Sequence, residues 1–142
     1  MDVEISKARK EDFPYIQEKI IKYVLDSSNM DWRQFFVARM KENVVAFGRI
    51  IDYGEFFEIA SLGVDWYHRK KGIGKKMMFF LVQEAKTRDG RKPIYSVTHV
   101  DRFVASCGFI EVKDNYPDYL DYKRKHICRL DEPRIKIMKW VG

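Results

Sequence analysis

Apolar residues recur along the chain with two spacings, every second position and every third or fourth, and these spacings lay out its elements. Val3 and Ile5, continuing to Lys7, alternate with polar residues as a short first strand. A helix is predicted from about Asp12, with Pro14 in its first turn and Phe13, Ile16, Ile20 and Val24 on one face. Residues 26–32, "DSSNMDW", read as a loop with room for one helical turn. Two strand-like runs follow, "QFFVARM" (34–40) and "VVAFGRII" (44–51), separated by Lys-Glu-Asn as a hairpin turn. "DYGE" (52–55) then turns the chain into a third run, "FFEIASLGV" (56–64).

The second half is organised differently. A helix is predicted from about Gly72 to Arg88 with Ile73, Met77, Phe80 and Leu81 inward, ended by "DGRKP". "IYSVT" (94–98) is a strand, and "HVDRFVAS" is a short helix stopped by Gly108 at a left-handed cap. "FIEV" (109–112) is a further strand, residues 113–133 read as irregular, and "RIKIMKWV" (134–141) alternates as a closing strand. Antiparallel strands first, then two strands each followed by a helix, predict an α/β (α+β) fold: a mixed, mainly antiparallel twisted sheet of six or seven strands with helices on both faces.

Composition narrows the class. A chain of 142 residues is expected to form one domain over 1–142, and 46% hydrophobic with 15% aromatic residues supplies a core and excludes disorder. The net charge of +6 favours acidic partners: a phosphorylated cofactor, nucleic acid or an acidic protein surface. Two cysteines, Cys107 and Cys128, without CxxC spacing read as thiols in a reducing compartment. His68, His99 and His126 form no metal motif, so no metal is expected. There is no apolar leader at the N-terminus and no run near the ~18 apolar residues of a membrane span, so a cytoplasmic location without membrane association is expected.

The stretch "GVDWYHRKKGIGKKMM" (63–78) concentrates both charge and glycine. It fails as a P-loop, because Gly74-Lys75 is followed by Lys76 and position 69 is Arg. It fails as a dinucleotide fingerprint, because Met77 takes the third glycine position. What it does contain is Arg69-x-x-Gly72-x-Gly74, five residues beyond Leu62-Gly63-Val64. A helix start offers N–H groups without internal partners and partial positive charge, and glycines let backbone approach a pyrophosphate. The N–H groups from about Lys70 to Lys75, Ile73 among them, can wrap such a group, with Lys70, Lys71 and Lys75 adding attraction. The plain alternative is a basic helix start whose lysines are solvated.

This arrangement resembles the signature of the GNAT (N-acetyltransferase) superfamily, whose longer consensus is met at Leu62, Val64, Arg69, Gly72 and Gly74; Trp66 stands where the family has proline. The resemblance implies acetyl-CoA as cosubstrate and direct attack of a primary amine, of a protein or a small molecule, on the thioester. It implies that backbone at Leu62, Gly63 and Val64 pairs with the pantetheine arm and that the Val64 N–H polarises the thioester carbonyl. Glu58 takes the place of the base, six residues before Val64. Alternation puts Glu58, Ala60, Leu62 and Val64 on one face unless a β-bulge of the family's kind intervenes. Its apolar neighbours Phe56, Phe57 and Ile59 suit a base that works near neutrality; the alternative is a solvated carboxylate at a strand edge.

For the acid, the family's tyrosine position holds Val104, so the usual proton donor is absent. Tyr116 and His99 are the leading substitutes, ahead of Tyr95, Ser96, Tyr119 and Tyr122. The resemblance also turns residues 26–34, with Trp32 and Arg33, and residues 113–133 toward the acceptor. A non-catalytic acyl-CoA-binding or regulatory domain is the second reading. A nucleic-acid module is disfavoured, because the charge gathers at one helix start and the aromatics sit on strand positions. A homodimer, common in the family, is left open.

Overall fold

The computed structural model of the chain describes residues 2–126 and 134–142. The strands are β1 (Glu4–Lys7), β2 (Phe35–Met40), β3 (Asn43–Asp52), β4 (Phe57–Val64), β5 (Ile94–Thr98), β6 (Phe109–Glu111) and β7 (Lys136–Trp140). The helices are α1 (Phe13–Lys22), α2 (Ile73–Arg88), α3 (Asp101–Ser106) and α4 (Asp118–His126). They build one sheet in the order β1-β2-β3-β4-β5-β7-β6. Its pairs are antiparallel except β4 and β5, which run parallel.

Strand alternation sorts the core into two layers. Phe36, Ala38, Ile50, Phe57, Ile59 and Ile94 pack against Ile73, Met77, Met78, Leu81 and Ala85 of α2 and Val104 of α3. Their alternates Phe35, Val37 and Phe47 meet Ile16 and Ile20 of α1, while Phe56, Tyr95 and Ile137 meet Leu120 of α4. Thus α2 and α3 cover one face, α1 and α4 the other. Met77, Leu81 and Ile16 are fully buried, and each such side chain contributes about 1.5–3 kcal/mol.

Three sequence expectations need correction. Residues 118–126, expected to be irregular, form α4, with Leu120 and Lys123 buried. Val24 is not on the α1 face: the helix ends at Lys22, and Val24 is 47% exposed with φ of 56°. The expected turn inside 26–32 lies later, as a single 3-10 turn at Trp32–Gln34, where the Asp31 side chain accepts from the Arg33 N–H. Gly108 does adopt a left-handed φ of 96° after α3. Cys107 is half-buried as a free thiol, and Cys128 lies outside the described residues. Among the described residues no helix is long and apolar enough to cross a membrane.

The feature that positions the site is a bulge in β4. Phe47 pairs with Gly63 but Arg49 with Ala60, so β4 carries one residue more than β3 across this interval. Ser61 absorbs the mismatch with φ of 56°. Beyond it the faces exchange: Leu62 and Val64 join the α2 layer, while Gly63 turns to Phe47 and Leu25. Glu58, before the bulge, stays with the α4 layer.

Gly63 has no room for a side chain, since a Cβ there would stand 2.6 Å from Cζ of buried Phe47. Gly63→Ala is expected to destabilise the chain by about 1–3 kcal/mol, read as a lowered denaturant midpoint; an unchanged midpoint would show that the Phe47 layer yields freely.

Candidate active site

Only Phe57–Ile94 and Glu58–Tyr95 pair between β4 and β5; past them the two strands part. The bulge bends β4 away, leaving one edge of each strand without a partner strand. A cleft of about 830 Å³ opens between Ile59–Val64 on one side and Ser96–Val100 on the other. Met78, Phe103 and Val104 supply its apolar lining.

At one end stands the start of α2. Lys70 and Gly72 hold left-handed φ values of 63° and 82°, so the loop turns sharply before Ile73. Nothing lies within 4 Å of a Cβ built on Gly72. Lys76 donates to the Gly72 carbonyl at 3.1 Å, opening the helical ladder, so the N–H groups of Ile73, Gly74 and Lys75 precede it. Lys70, Gly72, Gly74 and Lys75 line the cleft. Free N–H groups beside the open space at Gly72 fit a pyrophosphate.

Arg69 has a different engagement. Its Nε donates to the Val64 carbonyl at 3.0 Å, and its guanidinium lies over the rings of Tyr23 (4.6 Å) and Trp66 (5.1 Å). It fastens the glycine loop to the end of β4. Tyr23 completes the fastening: its hydroxyl oxygen accepts from the Trp66 N–H at 3.3 Å.

The other end of the cleft holds acids. Glu58, 1% exposed, lines the wall with Asp26, Ser27, Ser28 and Ser61. Both Glu58 oxygens accept from Lys123 Nζ at 2.7 Å, and Oε1 also accepts from the Tyr53 hydroxyl at 2.7 Å. Lys123 pairs with Asp26 as well. Arg49, wholly buried, donates from Nε to Ser61 Oγ (2.9 Å), from Nη1 to Gln34 (2.9 Å) and from Nη2 to Asp26 Oδ2 (3.2 Å). Ser61 donates in turn to the Asp26 carbonyl at 2.6 Å. The bulge, the segment after α1 and helix α4 are thereby joined in one network of two acids and two bases.

Charge settles accordingly. Burial works against the Asp26 carboxylate, yet the Lys123 ammonium and the Ser28 hydrogen bonds hold its pKa below the usual range. Burial also works against the Lys123 ammonium, yet Glu58 and Asp26 hold its pKa above that of an ordinary lysine. Burial lowers the pKa of Arg49, with Asp26 and Glu58 opposing. Burial and the Glu58 charge push the Tyr53 phenol well up.

The structure thus brings Glu58, His99, Leu62, Gly63, Val64, Arg69, Lys70, Gly72, Ile73, Gly74 and Lys75 to one cleft. Lys71 and Tyr116 are not among its walls. Tyr116 donates to Asp121 at 3.0 Å, and burial together with that carboxylate raises its pKa. Nor do Trp32 and Arg33 line it; the wall after α1 is Tyr23–Ser28. Val104 is buried and lines the cleft from α3. Sequence reasoning missed Asp26, Arg49, Ser61, Tyr53 and Lys123. Arg49 carried a signal, a charge inside the apolar run "VVAFGRII". Lys123 carried none while its segment read as irregular.

A model of the Acetyltransferase (GNAT) family matches residues 3–128. The chain belongs to this family. No curated protein matches it. Among solved structures it is similar to N-acetylglutamate synthase from Neisseria gonorrhoeae complexed with coenzyme A and N-acetyl-glutamate, at 14% identity and TM-score 0.79. That match covers 99% of this chain but 35% of the synthase, so the chain spans about a third of that relative's length. It is also similar to Rv2747 from Mycobacterium tuberculosis, in complex with CoA and NLQ, at 22% identity and TM-score 0.76, covering 98% and 99% of the two chains. Escherichia coli ElaA matches at 17% identity and TM-score 0.73, covering 99% and 100%. These likenesses establish the GNAT fold, a seven-stranded, mostly antiparallel open sheet with four helices.

The buried network carries a pH signature. Asp26 has a lowered folded pKa, so its contribution to stability is present above 3.8 and is lost as pH falls through the folded value. Lys123 has a raised folded pKa, so its contribution is present below 10.5 and is lost as pH rises through the folded value. Denaturant midpoints measured against pH should therefore fall at both extremes. Asp26→Asn should flatten the acid limb while leaving an alkaline limb, and an acid limb as steep as wild type would contradict the assignment.

Proposed function

We propose that this GNAT-family chain is an acetyl-CoA-dependent N-acetyltransferase that moves an acetyl group to a primary amine by direct attack in a ternary complex. The observation that carries this reading is one cleft with free helix-start N–H groups at one end and an acid pair at the other, joined by an unpaired edge of β4.

Acetyl-CoA, when bound, supplies the acetyl group already activated as a thioester. The N–H groups of residues 70–75 would hold the pyrophosphate, with Lys70, Lys71 and Lys75 adding attraction. Backbone at Leu62, Gly63 and Val64 would hydrogen-bond the pantetheine arm as an added strand does. The Val64 N–H would steady the negative charge that develops on the thioester oxygen. Arg69 would act indirectly, keeping the loop and the end of β4 in register.

Positioning of amine and thioester in one cleft supplies much of the rate. Glu58 would accept the proton of the attacking amine. His99, which lines the cleft just past β5, would donate a proton to the leaving thiolate. Tyr116 could serve only after leaving Asp121. No acyl-enzyme is needed, so Cys107 keeps a packing role. A protein lysine, an N-terminal amine and a small-molecule amine all meet these requirements.

The second reading, an acyl-CoA-binding domain without turnover, draws on Val104 at the family's tyrosine position. One assay separates them. Protein, acetyl-CoA and a panel of primary amines are mixed, and free thiol is followed. Amine-dependent thiol release is expected; tight CoA binding with no release for any amine favours the binder, and no CoA binding removes both. Gly72→Glu is expected to weaken CoA binding at least tenfold, about 1.4 kcal/mol, by placing bulk and like charge at the pyrophosphate. Unchanged CoA affinity in a folded Gly72→Glu variant would contradict the loop assignment.

A further inference from the structure

The run Lys123-Arg124-Lys125-His126 ends α4, and Lys123 is its fully buried member, 1% exposed. Leu120, one turn earlier and fully buried, anchors the helix against the sheet, and the Tyr119 ring lies 5.4 Å from that of Tyr53. These contacts carry the Lys123 ammonium under Glu58. An ammonium has three donors, and acceptors for all three are present: Glu58 Oε1 and Oε2, each at 2.7 Å, and Asp26 Oδ2.

The direction of approach matters. Glu58 and Asp26 line the cleft and Lys123 does not, so the cation reaches the two carboxylates from the side away from the substrate space. Burying an anion is costly unless a cation and hydrogen bonds support its charge, and Lys123 and Tyr53 supply both to Glu58. The groups around Glu58 come from four elements. Lys123 comes from α4, and Tyr53, just past β3, donates to it. Asp26, after α1, shares its cation; Arg49 of β3 attracts it across Asp26 and Ser61. Tyr95 of β5 stands at its register position. The two charged bases balance the two acids.

We propose that Lys123 is a positioning residue for acyl transfer: its ammonium keeps the Glu58 carboxylate ionised and directed at the cleft, and Asp26 sets how much of that ammonium Glu58 commands. This rests on the reading of Glu58 as the base. Removing the cation favours the protonated carboxyl, so activity that needs the carboxylate must move to higher pH. Removing the competing anion at Asp26 must move it the other way.

The test compares pH profiles of kcat/KM for wild type, Lys123→Met, Lys123→Arg, Asp26→Asn and Glu58→Gln, with acetyl-CoA and the primary amine of the panel that releases thiol fastest. Lys123→Met is expected to shift the acid limb up by about one pH unit, costing about tenfold more rate on the acid side than on the plateau. Lys123→Arg keeps the wild-type limb. Asp26→Asn shifts the limb down, and it decides the matter if Lys123→Met does not fold. A loss of the same factor at every pH in Lys123→Met, or an unmoved limb in Asp26→Asn, overturns the proposal. A ¹³C titration of the Glu58 carboxyl in the ligand-free protein reads the same coupling without turnover: a midpoint that rises in Lys123→Met supports it and an unchanged one overturns it. Glu58→Gln retaining the wild-type limb overturns the base reading itself, whatever the Lys123 variants show.

Discussion

The cleft depends on one extra residue in β4. Ser61 sits at a φ that costs an L-residue roughly 1–2 kcal/mol, and its own hydroxyl helps to offset that cost. The hydroxyl accepts from Arg49 Nε and donates to the Asp26 carbonyl, two hydrogen bonds made inside the protein. Such bonds contribute about 1 kcal/mol each, and more with a charged donor. Without the bulge, strict alternation would place Leu62 and Val64 on the face of Glu58, and β4 would continue beside β5. With it, the apolar side chains enter the α2 layer, Glu58 remains with α4, and the strands separate where a ligand needs room.

The same bend aligns the cleft's two ends. Val64 closes β4, and its carbonyl accepts from Arg69, so the strand end and the glycine loop are tied by one charged hydrogen bond. The rings of Tyr23 and Trp66 lie beside that guanidinium. An Arg at this point therefore acts through geometry more than through net charge. Lys70 and Lys75 lie along the cleft wall beside the N–H groups that open α2. At the far end Asp26 and Glu58 line the cleft, with their charges balanced by Lys123 and Arg49.

What the sequence revealed follows from the range of each interaction. The amphipathic period of α2 and the strand-like runs of β2 to β5 are local, and each matched the structure within a residue or two. Gly108 is legible for the same reason, since a short helix and its left-handed cap adjoin in sequence. Helix α4 was not legible: Asp, Lys and Arg surround its few apolar positions, and Leu120 gains its burial only from Phe56, Tyr95 and Ile137, remote in sequence. Val24 continued the apolar spacing of α1 but fell past the helix end, where the chain turns through a left-handed residue. Glu58 was singled out by the family resemblance, whereas its ammonium partner lies 65 positions away and leaves no local trace. Tyr116 illustrates the converse, a residue type suited to proton donation that Asp121 holds outside the cleft.

A neutral cluster of four buried charges calls for an account beyond stability. Desolvating ions costs several kcal/mol each, and apolar replacements of like volume are often as stable. Here the alternatives differ in what they would fix. An apolar patch at positions 26, 49, 58 and 123 would bind α4 to the sheet without setting its rotation or the path of residues 23–28. The ion pairs set both, because Lys123 must reach Glu58 and Asp26 together, and Arg49 must reach Asp26, Ser61 and Gln34 together. Satisfying all of these at once admits one arrangement of α4, the segment after α1 and the bulge. The charges are thus the means by which three remote segments converge on one carboxylate at the wall of the cleft, a convergence that a purely apolar core would not specify.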